Sequence, residues 1–139
     1  MNKLQNLISE LEKHHKKKLD LSLGRTFNLL KKFGNPQDKL NNIVTVVGTN
    51  AKASMSYSLK AILNQAGFKC NMYTSPHLQS YTERFVFNDN EIDEESLFKL
   101  LKDTEKVLGD DNATVFEILT CAFITVSYTH LTLPTIGCV

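Results

Sequence analysis

The chain has 139 residues, of which 42% are apolar and 22% charged, the profile of an ordinary soluble domain able to bury a real core. Its net charge of +1 removes any global electrostatic case for nucleic-acid or membrane binding. No run approaches the ~18 apolar residues of a membrane span. Leu4, Leu7, Ile8 and Leu11 recur at helical spacing and predict an N-terminal helix of two or three turns. The lysine-rich "KHHKKKLD" that follows reads as a solvated helix end. His14 and His15 are adjacent, about 100° apart on a helix, so they cannot clasp one metal from one face. "SLGRTFNLLKKFGNP" predicts a second helix with Leu23, Phe27 and Leu30 on its inner face, stopped by Gly34 and Pro36.

"NNIVTVV" is a short β-branched run, expected as a buried parallel strand. A helix should run from about Ala53 to Ala66 and end at Gly67. "FKCNMY" alternates Phe68, Cys70 and Met72 with polar neighbours and predicts the next strand. Ile43–Tyr73 is then one βαβ unit. "RFVFNDNEI" reads as a hairpin around Asn-Asp-Asn. Asp93 stands where it can cap a helix that carries Glu94 and Glu95 in its first turn. Leu97, Leu100, Leu101, Thr104 and Leu108 form its inner face and Gly109 ends it. "TVFEILTCAFITV" is apolar nearly all round, and its length favours a buried helix over a strand pair. Glu117 within it needs a partner if buried, and a structural hydrogen-bonding role is favoured over a metal role.

Cys70, Cys121 and Cys138 are odd in number and scattered, with no C-x-x-C pair, which argues against a disulfide framework or a zinc site. With a polar start that lacks a signal-peptide core, a cytoplasmic address is expected.

The chemistry concentrates in "TVVGTNAKASMSYSLKAIL", residues 45–63, which reads as a strand, a tight loop and a helix. Phosphate sits well at such a junction, where backbone N–H groups and the positive helix end converge. Lys52 supplies a charge for the β/γ oxygens, and Ser54 a hydroxyl for a phosphate or Mg²⁺ shell. Such loops prefer glycine for positive φ and close approach, yet positions 51 and 53 hold alanine. Alanine in a left-handed conformation costs about 1–2 kcal/mol, which weakens the loop without forbidding it. The full pattern G-x-x-x-x-G-K-[ST] is not met, and from the loop alone a plain strand-to-helix turn remains an equal reading.

"VVGTNAKAS", "FKCNMYTSPHLQSYTERFVFNDNEID" and "FEILTCAF" occur in the order and spacing of the folylpolyglutamate synthase/dihydrofolate synthase family, and "LLKKFGNPQDKL" resembles that family's L-G-N-P lead-in. The resemblance covers roughly residues 20–126. It departs at Ala51 and Ala53, where the family loop reads G-T-N-G-K-G-S. It implies an α/β fold: a P-loop-type, mostly parallel sheet flanked by helices, forming an incomplete N-terminal ATPase domain of a Mur-type ATP-dependent amide ligase. Such a ligase phosphorylates the carboxylate of dihydropteroate or of a folate glutamate with ATP and Mg²⁺, and the amine of L-glutamate then attacks the acyl phosphate. Carried over by position, Gly48, Thr49, Asn50, Ala51, Lys52, Ala53 and Ser54 would hold the ATP phosphates, with Lys52 as the catalytic cation. Ser75 would join Ser54 as a metal ligand. Ser75, Pro76 and His77 with Tyr81, Glu83 and Arg84 would form the loop at the folate or pteroate. Arg84 could instead simply pair with Glu83 or Glu91, and Ser75-Pro76 could be just a turn. A monomer is expected, without nucleic-acid or membrane partners.

After "FEILTCAF" the family continues into a strand with a metal-binding Glu in an E-x-G-[LIVM]-G-G motif, whereas this chain reads "SYTHLTLPTIGCV". That stretch has no acid and no Gly-Gly pair, and it carries a proline where a central strand would run. The expected organisation is a partial ATP-binding domain over 1–126 and a tail over 127–139 that is foreign to the family. A chain so truncated would be inactive alone and would expose apolar surface. A non-catalytic nucleotide-binding module and a Mur-type ligase for a cell-wall precursor are the alternatives. A basic nucleic-acid binder is the weakest, since the lysines lack interleaved aromatics.

Overall fold

The computed structural model describes residues 3–14, 23–129 and 135–138. Their contacts divide into two compact units, one of residues 1–39 and 94–126 and one of residues 40–93 and 127–139. His15 to Asp20 of the lysine-rich stretch lie outside the described residues.

The first unit is helical. α1 (Lys3–His14) buries Leu4, Leu7, Ile8 and Leu11, as the apolar stripe requires. α2 (Gly24–Lys32) buries Leu29 and Leu30 instead of the expected Leu23 and Phe27, which are 64% and 54% exposed. Leu30 is buried as expected, and the rest of the inner face is set two positions along from the Leu23/Phe27 stripe, on the Arg25–Leu29 side of the helix. Gly34 and Asn35, at φ 79° and 54°, end the helix through positive backbone angles. α4 (Glu94–Leu108) buries Leu97, Leu101, Thr104 and Leu108 and leaves Leu100 half-buried. α5 (Val115–Thr129) is the apolar helix that length favoured, with Ile118, Leu119, Cys121, Ala122 and Phe123 buried. Burial pushes the Cys121 thiol up to about 12, so it is inert at neutral pH. Cys70 and Cys121 are free, buried thiols, consistent with the absence of a disulfide pattern.

The second unit is a five-stranded mixed sheet in the order β1-β5-β2-β3-β4. β1 (Ile43–Val46), β5 (Thr135–Cys138) and β2 (Asn71–Thr74) are mutually parallel. β3 (Phe85–Phe87) and β4 (Asn90–Glu91) complete the sheet antiparallel. α3 (Lys52–Gln65) connects β1 to β2 in the expected βαβ unit, and its Leu59 and Leu63 pack on Cys70, Met72, Val86 and Ile136.

Three expectations change here. β1 is parallel but not buried: it lies at the sheet edge, with Ile43 52% and Val44 40% exposed. β2 starts later than the Phe68/Cys70/Met72 alternation suggests and is buried along its whole length; the Asn71 side-chain oxygen accepts from Asn88 N–H at 2.9 Å, while its amide nitrogen is buried without a partner. Finally, Thr135–Cys138 forms the central parallel strand in spite of the proline before it. Position 134 precedes the ladder and is outside the described residues, so no ladder hydrogen bond of β5 depends on a proline N–H. The hairpin turn is as expected, with Asn88 and Asp89 both at positive φ (51° and 69°), the geometry two-residue hairpins favour. Among the described residues no helix is long and apolar enough to cross a membrane.

Candidate functional site

The loop between β1 and α3 turns at Gly48 (φ +155°) and enters the helix through Ala51, which is left-handed at φ 59° and ψ 9°. A side chain at Gly48 would meet nothing closer than Asn50 O at 3.7 Å, so backbone angle rather than space selects glycine there. Ala51 holds the N-cap position without a side-chain cap, and the first turn of α3 contains no acid. The N–H groups of that turn therefore have no side-chain acceptor in competition with an incoming anion. Lys52 folds its ammonium back over the loop and donates from Nζ to Gly48 O at 2.7 Å. Thr49, Asn50, Ala53 and Ser54 are exposed around it.

The two alanines differ physically. Ala51 occupies the strained left-handed position that glycine would relieve. Ala53 is the second residue of a helix, where its methyl is favourable. The expectation that both stand in glycine-demanding positions holds only for Ala51.

The second loop, residues 75–84, leaves the end of β2. Glu83 accepts from the N–H groups of Leu78, Gln79 and Ser80, each at 2.7 Å, and forms a reciprocal capping box with Ser80. These bonds hold its carboxyl below the usual carboxylate range. Glu83 is thus spent on the loop's own backbone. Thr82 donates to Glu91, tying the loop to β4. Arg84 pairs with neither Glu83 nor Glu91 as an ion pair: its Nε donates to His77 Nδ1 at 2.9 Å, and its Nη1 reaches Ser75 Oγ at 3.5 Å. Its guanidinium carbon lies 5.1 Å from the Tyr81 ring centre, and His77 stacks on that ring at 4.2 Å. Burial first, then the Arg84 charge, pushes the His77 imidazole pKa down. Ser75, His77, Tyr81, Glu83 and Arg84 therefore come together as one built cluster. Leu78 stands out at its crest, 93% exposed. The Thr82–Glu91 contact carries no sequence signal, whereas the Ser80–Glu83 capping box is signalled by the S-x-x-E pattern of "SYTE".

Parallel pairing relates the two loops. β1 and β2 both run parallel to β5, which lies between them, so both loops leave the same carboxyl edge of the sheet, roughly 10 Å apart at the usual strand spacing. Cys138 is in register with Val46 and Thr74, so β5 ends in the gap between them. In open α/β sheets, ligands sit at such an edge.

For a phosphate the residues fit: uncapped helix donors, a lysine, and hydroxyls on Thr49 and Ser54. For a divalent cation they fit only partly. Among the described residues no group of three His, Cys, Asp or Glu could hold a metal. Ser75, beside the Arg84 guanidinium, retains one free lone pair. A metal here would take most of its ligands from phosphate oxygens, with Ser54 as the better-placed protein donor. Glu117 belongs to the helical unit: both its oxygens accept from Arg25 Nε (3.1 and 3.2 Å), and it accepts from Thr114 N–H. The hydrogen-bonding reading of Glu117 holds. A cavity of about 320 Å³ lined by Arg25, Asp110 and Asp111 belongs to the helical unit, where Lys32 already neutralises Asp111 at 2.7 Å.

No family model matches the chain. The dihydrofolate synthase/folylpolyglutamate synthase of Escherichia coli K12 is 35% identical over 114 residues, 82% of this chain and 27% of that protein. The chain belongs to the folylpolyglutamate synthase/dihydrofolate synthase family. Another member, the dihydrofolate synthetase of Saccharomyces cerevisiae, is 31% identical over 105 residues, covering 74% of this chain and 24% of that one. Among solved members, E. coli FolC in complex with DHPP and ADP superposes with a TM-score of 0.85 at 31% identity, over 97% of this chain and 32% of that one. A bifunctional enzyme from Yersinia pestis complexed with AMPPNP and Mn ion gives 0.85 at 29% identity, over 97% and 32%. The mixed, mostly parallel sheet is that family's fold. The chain spans about a quarter to a third of these relatives' lengths.

Proposed function

We propose that this chain is the nucleotide-binding portion of an ATP-dependent ligase that joins L-glutamate to dihydropteroate or to a folate glutamate. The observation that carries it is the meeting of the Gly48–Ser54 loop and the Ser75–Arg84 loop at one carboxyl edge, in a chain whose relatives bear that ligase's name. Solved relatives hold ADP, or AMPPNP with Mn, which supports ATP and a divalent ion such as Mg²⁺ as the ligands of this edge.

When bound, the nucleotide supplies a phosphoryl group that turns a poorly electrophilic carboxylate into one with a leaving group. The chain's own residues do the rest. Lys52 releases Gly48 O and turns its ammonium to the phosphate oxygens, exchanging a neutral acceptor for a charged one. The N–H groups from Gly48 to Ser54 and the start of α3 hold the anion, and fixed donors of this kind stabilise developing charge without reorganising. Ser54, with Ser75, contributes a hydroxyl toward the cation. Ser75, Pro76, His77, Tyr81 and Arg84 face the folate or pteroate, with Glu83 bracing the loop beneath them. The protein works as a cytoplasmic monomer. The 139 residues bind nucleotide but do not complete ligation, because glutamate capture and an acidic metal ligand are supplied by parts of the family fold beyond them.

The test is product formation from dihydropteroate, L-glutamate and Mg-ATP. The isolated chain should give none above background. A chimera in which it replaces the matching segment of the E. coli enzyme should turn over and lose that turnover on Lys52→Ala. Turnover by the isolated chain would overturn the incompleteness, and a folded chimera without turnover would overturn the ligase reading.

A further inference from the structure

We propose that Arg84 is a positioning residue that holds His77 as the neutral Nε2–H tautomer, so that the loop presents its ligand with a fixed, uncharged donor stacked on Tyr81. The use made of that donor rests on the substrate-loop reading above; the geometry does not.

Every nitrogen of a guanidinium is a donor, and none accepts. Arg84 Nε lies 2.9 Å from His77 Nδ1, so Nδ1 must supply a lone pair, and the single proton of a neutral imidazole must sit on Nε2. The ring cannot rotate freely out of this arrangement, because it rests on Tyr81 at 4.2 Å with the planes tilted by 40°. Arg84 is itself fixed over Tyr81 at 5.1 Å and reaches Ser75 Oγ. The three side chains close a triangle, and Glu83 holds the backbone under it through its bonds to residues 78–80.

No other hydrogen-bond partner takes the His77 ring among the described residues, which leaves Nε2–H for a ligand. A neutral donor beside a stacked aromatic suits a planar conjugated molecule that carries a carbonyl or ring-nitrogen acceptor. An imidazolium at the same place would add a second positive charge next to Arg84 and repel a bound cation.

The experiment uses the 139-residue chain labelled with ¹⁵N-histidine, with His77 assigned by loss of its signals in His77→Gln. Long-range proton–nitrogen correlation at pH 7 should show a protonated Nε2 and a lone-pair Nδ1. Arg84→Ala should mix the tautomers, and Arg84→Lys, which keeps a donor, should restore most of the wild-type pattern. An Nδ1–H tautomer or an imidazolium in the wild-type chain overturns the proposal, and that result needs no variant to fold. A wild-type pattern retained in folded Arg84→Ala also overturns it. Folic acid is then added: a shift at His77 Nε2–H supports the ligand role, whereas the stated tautomer with no response overturns the substrate reading alone.

Discussion

At position 51 the chain carries an L-residue at φ 59° in the N-cap of α3, and at position 53 it carries the same residue inside that helix. The two substitutions Ala51→Gly and Ala53→Gly should therefore act in opposite directions. The first removes a left-handed penalty and should raise stability by about 1 kcal/mol, part of the 1–2 kcal/mol strain being returned as unfolded-state entropy. The second replaces the best helix former with the poorest after proline and should lower stability by about 0.5–1 kcal/mol. Urea unfolding of the two single variants checks this, and a shift of the same sign in both would contradict it. From sequence the two alanines look alike, because the motif position shows that glycine is usual but not which backbone angle each site adopts. Arg84 is similar: its sequence neighbours Glu83 and Glu91 suggest ion pairs, but the turn directs it to His77 and Tyr81. Side-chain partners across a seven-residue loop depend on where the loop closes, which residue type does not encode.

Elements with a strong one-dimensional signal were legible. The stripe Leu4, Leu7, Ile8 and Leu11 gave α1, the all-round apolar run gave α5, and strand-loop-helix order gave the βαβ unit. β5 was not. "TIGC" is four residues long, contains a glycine and follows a proline, so it carries almost no local strand signal. It becomes the central strand because β1 and β2 leave a parallel slot on either side, and pairing across that distance is invisible to periodicity. The same limit explains β1, whose apolar run reads as buried although the strand lies at an edge. Glu117 shows an element-scale role that was legible: a lone acid at the start of an apolar helix needs partners, and Arg25 and Thr114 supply them. Both members of the Arg25–Glu117 pair are largely buried, with side chains 19% and 11% exposed. Glu117→Ala should cost about 2–3 kcal/mol, because it strips the cap from α5 and leaves a guanidinium short of its anion. Glu117→Gln, which can still accept from Thr114 N–H, should cost less. Equal losses in thermal unfolding would show that the retained acceptor contributes nothing and that the charge carries the whole effect.

At the scale of the molecule, the sheet unit exposes Ile43, Val44, Val47, Met55, Ile62 and Phe68 while the Gly48–Ser54 and Ser75–Arg84 loops share one edge. The chain spans about a quarter to a third of its relatives' lengths, and on the proposed reading this shared edge takes the nucleotide. On the proposed reading, an uncapped helix start and one lysine suffice for recognition even with Ala51 in place. A few charge-assisted contacts give affinity in the millimolar range, on the order of 4 kcal/mol. The direct measurement is calorimetric titration of Mg-ATP into the 139-residue chain and its Lys52→Ala variant, with Ala51→Gly alongside. Weak binding is expected, which Lys52→Ala should abolish and Ala51→Gly should tighten. Binding of equal strength in the wild-type chain and a folded Lys52→Ala variant would contradict it.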